Sequence, residues 1–156
     1  MEERKEFNRC LYCFAEKEAP GPCPACGYED GLCDFPTWCL PMGTILRGRY
    51  LIGQVLSSTE TEICYLCWDF LRQQKLQVVE YFPRDLVTRD STHGPDVICI
   101  PGQEEAVEAG KERFFQKAKL FYNCVSRVEQ IYMDFMVRNH TCYYVRTHRD
   151  DHPAET

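Results

Sequence analysis

Two Cys-x-x-Cys units, Cys10-Leu-Tyr-Cys13 and Cys23-Pro-Ala-Cys26, stand nine residues apart near the start of the chain. No other feature restricts the local fold as tightly. Each unit forms a tight knuckle that offers both sulfurs to one metal ion, and four thiolates close a tetrahedral Zn²⁺ site. Gly27 lets the backbone turn so that amides face a sulfur, and Pro24 stiffens that turn. Four protein ligands leave no open position. The spacing therefore predicts a structural zinc on Cys10, Cys13, Cys23 and Cys26 rather than a catalytic metal. An iron–sulfur centre or a redox dithiol would use the same thiols but needs a context the sequence does not display.

The surrounding composition agrees. Residues 10–41 carry six of the eleven cysteines and five of the nine prolines, with no helical periodicity and few aliphatic side chains. Such a segment is held by something other than burial. The expected division is a zinc-ribbon module with its linker over 1–41, a second domain over 42–147 and a flexible tail over 148–156. Within this, 1–9 reads as a charged loose end, 36–43 as the linker, and Cys33 and Cys39 as free thiols.

Hydrophobic residues at 44% and aromatics at 13% supply a packed core. Eighteen basic against 24 acidic residues give a formal charge of −6, which opposes binding to phosphate backbones or anionic membranes. Residues 10–41 hold Lys17 as their one basic residue against five acids, so a nucleic-acid-binding ribbon is the disfavoured alternative. The first ten residues, MEERKEFNRC, are charged and lack the apolar core expected of a secretory signal, and no run of about 18 apolar residues occurs in the sequence. A cytoplasmic location with reduced thiols is the expectation.

From Leu46 onward the pattern turns to strands, predicted over 50–56, 61–69 and 76–82. Residues 84–102 form a long excursion with one short strand at 97–100. Over 104–125, Val107, Gly110, Phe114, Ala118, Phe121 and Val125 recur at steps of three and four and predict one helix. A hairpin follows, with strands 130–137 and 141–146 and a turn at 138–140. Cys64 and Cys67 also match Cys-x-x-Cys. In a strand, positions three apart point to opposite faces, so this pair is read as structural.

The run Gly43-Thr44, Gly48-Arg49-Tyr50, Ile52-Gly53, Tyr65-Leu66, Asp69, Glu80-Tyr81-Phe82-Pro83 and Arg113-Phe114 resembles the N-lobe of bacterial serine/threonine protein kinases that carry a four-cysteine ribbon in front. The resemblance spans 10–147. It implies an α+β fold, with a small zinc ribbon followed by a five-stranded antiparallel sheet and one packed helix. It also implies where a nucleotide would sit, and there the chain departs from the pattern. The three glycines of the phosphate-covering loop fall on Ser57, Thr59 and Glu62, the strand lysine on Val79 and the helix glutamate on Lys117. Such a loop works through close approach of its backbone amides. A carboxylate such as Glu62 about 4 Å from a phosphate oxygen costs about 1 kcal/mol in water and roughly 4 in a partly dry cleft. His148-Arg149-Asp150 and Asp134-Phe135 fall in the wrong places to be catalytic motifs.

The resemblance with these departures predicts a non-enzymatic, pseudokinase-like fragment that does not bind ATP. A protein partner is expected: a kinase, a second copy, or a larger target that the chain occludes as a regulator, decoy or inhibitor. The argument for a partner is a lower face, lined by the helix stripe and the last strand, left exposed where the chain stops. The alternatives are the nucleic-acid-binding ribbon and a half-kinase completed in trans by a C-lobe partner.

Overall fold

The alternating β-branched and aromatic runs form an antiparallel sheet. The computed structural model describes residues 9–17, 21–29, 36–125 and 134–148, with the backbone alone for 121–125. Its strands are β1 (Ile45–Leu46), β2 (Tyr50–Ser58), β3 (Glu62–Asp69), β4 (Gln74–Tyr81), β5 (Val87–Thr88), β6 (Ile98–Cys99), β7 (Asp134–Arg138) and β8 (Thr141–Thr147), with one α-helix, α1 (Glu104–Val125). Six strands pair in the order β1-β2-β3-β4-β8-β7, and β5 pairs with β6. The architecture is the expected α+β sheet with one helix, with β1 as a sixth, two-residue strand. The expected loose end up to residue 8, Cys33, the start of the hairpin at 130–133 and the tail from 149 lie outside the described residues.

Pairing register divides the sheet into two faces, because residues directly opposite each other share a side. Ser57, Cys64, Val79, Tyr144 and Phe135 form one continuous cross-strand row. The helix lies on this face, with the Phe114 ring 5.3 Å from Tyr144 and 5.6 Å from Tyr81. Val107, Gly110, Phe114 and Ala118 are buried as the stripe predicts. Contrary to the expectation that the stripe lines an open face, its described part up to Ala118 is covered by sheet aromatics. Among the described residues, Phe115, Leu120 and Val137 are apolar side chains left exposed on α1 and β7. Gly110 is required by close approach, since a Cβ there would stand 1.7 Å from the Tyr81 hydroxyl oxygen.

On the other face Ile63, Glu80, Tyr143 and Met136 form a row. Glu80 and Arg89 are both fully buried and pair there. The Tyr65 hydroxyl donates to Glu80 at 2.7 Å and accepts from the Leu40 amide at 3.0 Å. Burial and the neighbouring carboxylate push the Tyr65 phenol well up, so it stays a donor. Arg89 also donates to the carbonyls of Trp38 and Pro95, which pins the 84–102 excursion to this core. Residues 36–43, expected as a linker, contribute Cys39 and Leu40 to the same core. Too few aliphatics for a core of their own did not prevent them from entering this one. The sheet curls around this face far enough that Asp134 of β7 accepts from Arg47 at 2.9 Å and from the Tyr50 hydroxyl at 2.8 Å.

Candidate metal centre and the helix-facing side of the sheet

The two Cys-x-x-Cys units fold into matching knuckles. The Phe14 amide donates to the Cys10 carbonyl and the Gly27 amide to the Cys23 carbonyl, each at 2.8 Å. In the first knuckle the Tyr12 and Ala15 amides point at the Cys10 and Cys13 sulfurs; in the second, Ala25 and Tyr28 point at Cys23 and Cys26. Tyr12 and Tyr28 stack across the pair at 5.2 Å. The result brings all four sulfurs within 4.8 Å of one another, with Cys10–Cys26 at 3.8 Å and Cys13–Cys23 at 3.7 Å. Four sulfurs about 2.3 Å from a tetrahedral metal stand about 3.8 Å apart, so the set fits a metal ion. Amide donors hold the Cys23 thiol down at about 6, whereas burial raises Cys13 to about 12. An added cation would draw both into the thiolate form. The metal would contribute fixed geometry to residues 9–29 and no vacant coordination position.

Both knuckles need a left-handed residue after the second cysteine. Gly27 supplies it in one at φ 82°, and Phe14 takes it in the other at φ 65°. A non-glycine residue pays about 1–2 kcal/mol there. Burying a phenylalanine ring returns about 1.5–3 kcal/mol, and Phe14 is fully buried.

The five positions that the resemblance places around a nucleotide are occupied otherwise. Ser57 and Val79 do fall in one cross-strand row with Cys64 between them, and Val79 is buried. Thr59 closes the turn between β2 and β3. Its amide donates to the Glu62 carbonyl at 2.8 Å, and its Oγ1 accepts from the amides of Thr61 and Glu62. Three amides of the turn are thereby spent within the turn itself. Arg84 and Phe82 tie the same turn from outside, donating to the Thr59, Glu60 and Thr61 carbonyls. Lys117 donates to Glu62 Oε2 at 2.6 Å. A strand–helix ion pair is thus present, with the acid on the strand and the base on the helix. The cavity between Glu62, Tyr81, Gly110, Phe114 and Lys117 measures about 160 Å³, below the 300 Å³ or so of small-molecule sites.

Alongside Val79 the face is filled by a polar network. Arg146 Nε donates to Gln77 at 2.8 Å and its Nη2 points at the Cys64 sulfur, while Gln77 meets His148 at 3.0 Å. Cys64 stands with Val79 on the helix face and Cys67 with Ile52 and Leu76 on the other, so they do not share a metal, as predicted. Burial raises both thiols. Asp134 and Phe135 lie within β7, and of His148-Arg149-Asp150 only His148 is described.

No protein-family model and no curated protein sequence matches the chain. Among solved structures it is similar to one titled PpkA-294 apo form, from a bacterial serine/threonine kinase, with a TM-score of 0.62 and 19% identity. The fold is kinase-like. The match covers 71% of this chain and 39% of that one, so this chain spans about two fifths of its neighbour. At that identity the likeness is one of fold. Among the described residues no helix is long and apolar enough to cross a membrane.

Two features of the site escaped sequence reasoning. Lys117 carried no expected partner, yet Glu62, 55 residues earlier in the chain, pairs with it. Phe14 carried no expectation at all. Its position matching Gly27, one residue past a Cys-x-x-Cys, was the available signal.

Proposed function

We propose that the chain is a non-catalytic, protein-binding module, in which a structural Zn²⁺ on Cys10, Cys13, Cys23 and Cys26 braces a kinase-like sheet that does not hold ATP. The observation that carries this reading is the closed turn at 59–62, whose amides donate to Glu62 and Thr59. A loop that grips phosphates must present those amides to the ligand. Buried Val79 and the Glu62–Lys117 pair support the same reading, because no lysine extends from β4 at the matching position. Its output is regulatory, decoy or inhibitory, through a cytoplasmic protein target.

The surface that supports a protein partner is the outer edge of α1 and β7. Phe115 packs edge-on to Phe135 at 4.9 Å, and Val137, two residues further along the same strand face, is 68% exposed. An edge strand with an exposed apolar side chain is a natural pairing surface. Affinity capture with the intact chain and with Val137→Lys tests the reading. A protein recovered by the parent and lost with the variant is expected. A parent chain that is monomeric, silent to hydrophobic dyes and captures nothing contradicts it.

A further inference from the structure

The ribbon is not an appendage; it is seated in a fitted site on the sheet. Phe14 projects from the first knuckle onto Leu51, Leu66 and Trp68, which with it form a buried cluster separate from the main core. Gly53 of β2 lies directly beneath. A Cβ at Gly53 would come within 2.8 Å of the Phe14 ring and of the Leu11 carbonyl oxygen, so only glycine leaves the notch open. Gln54 Nε2 donates to the Tyr12 carbonyl at 2.9 Å, and the Arg9 guanidinium stacks over the Trp68 ring at 4.1 Å. Four residues around the first knuckle thus meet the same strip of β2 and β3.

The geometry points to a latch. We propose that the four-thiolate metal centre holds the first knuckle in the shape that aims Phe14 into the Gly53 notch, so that metal release frees the ribbon and uncovers Leu51, Leu66 and Trp68 while the sheet stays folded. The link is covalent and short: Phe14 follows Cys13 directly, and its left-handed backbone is the one the knuckle requires. Without the metal, few apolar contacts hold the 21–29 knuckle, where Ala25, Cys26 and Gly27 are exposed. The sheet has independent support. Its main core, which runs from Leu40, Tyr65 and Val78 on one face to Val79, Phe114 and Tyr144 under α1, includes no described residue of 9–29. Loss of the ribbon therefore removes a cover and leaves the core in place. This inference rests on the metal reading above and adds what the metal controls.

The test uses the full chain with Trp38→Phe, which leaves Trp68 as its one tryptophan. Zinc content is measured first, and about one equivalent per chain is expected from four thiolate ligands. A chain purified without any metal would refute the metal reading itself, before any fluorescence is recorded. EDTA treatment of the zinc-loaded chain is then expected to release the metal, shift Trp68 emission to the red and open it to acrylamide quenching. Far-UV circular dichroism should keep the sheet signal, and added Zn²⁺ should reverse the change. Phe14→Gly forms the second arm. It places in the first knuckle the residue that the second already uses, so zinc should remain bound while Trp68 becomes quenchable. The proposal is overturned if zinc leaves and Trp68 stays shielded, if the sheet signal is lost together with the metal, or if Phe14→Gly leaves Trp68 as protected as in the parent.

Discussion

At the scale of single residues, buried charge is held by full pairing. Asp69 is buried at the end of β3 and accepts from Arg49 Nε at 2.8 Å, from Arg49 Nη2 at 2.9 Å and from the Leu71 amide at 2.9 Å. Burial alone would raise its pKa; the Arg49 bonds and charge together with the Leu71 and Arg72 amides outweigh that and bring it below the ordinary value. A carboxylate with a depressed folded pKa contributes stability above its unfolded value of about 4, and that contribution fades as pH falls through the folded value. Asp69→Asn is expected to cost about 2 kcal/mol at neutral pH. In urea melts, the gap between parent and variant should narrow below pH 4. Gly110→Ala is the steric counterpart. A methyl 1.7 Å from the Tyr81 oxygen must push the helix or the ring aside, at a cost of about 1–3 kcal/mol, read as a lowered Tm.

At the scale of elements, the Glu62–Lys117 pair joins the β2–β3 turn to the middle of α1. Lys117 is about half exposed, so its contribution is modest, about 0.2–1 kcal/mol. A double-mutant cycle with Glu62→Gln and Lys117→Gln should return a coupling in that range, and the exchanged pair Glu62→Lys with Lys117→Glu should recover most of it. Zero coupling would reduce the pair to a surface coincidence. The helix bounds were legible from sequence because its apolar stripe is regular, and the three long strands because their β-branched and aromatic residues cluster between polar segments. The partner of Glu62 was not, since strand and helix positions 55 residues apart meet only through packing. The excursion over 84–102 disclosed its short strand at 97–100, found as Ile98–Cys99, but for the same reason not what anchors it. Its role rests on one residue, Arg89, and on a carboxylate in another element. The partner of that short strand, β5, two residues long, is too short to leave a periodic pattern.

At the scale of the whole molecule, two cores share one sheet. The larger spans both faces, around the Glu80 row and under α1, and the smaller lies beneath the ribbon. The cysteine spacing disclosed the four-sulfur cluster, because its members are close in sequence. The seat of the ribbon on Gly53 was hidden, because a glycine needed for close approach looks like any other glycine in a strand. Gly53→Ala should therefore loosen the ribbon without altering zinc content, measured as faster proteolysis within 9–29 at unchanged metal stoichiometry.

The central claim is that the kinase-like sheet has given its phosphate-facing positions to internal contacts. Titration calorimetry of the zinc-loaded chain with Mg²⁺–ATP tests it most directly. The account predicts no saturable heat up to millimolar nucleotide, because the turn amides, Glu62 and Lys117 already satisfy one another. Saturable binding with a micromolar Kd would contradict it.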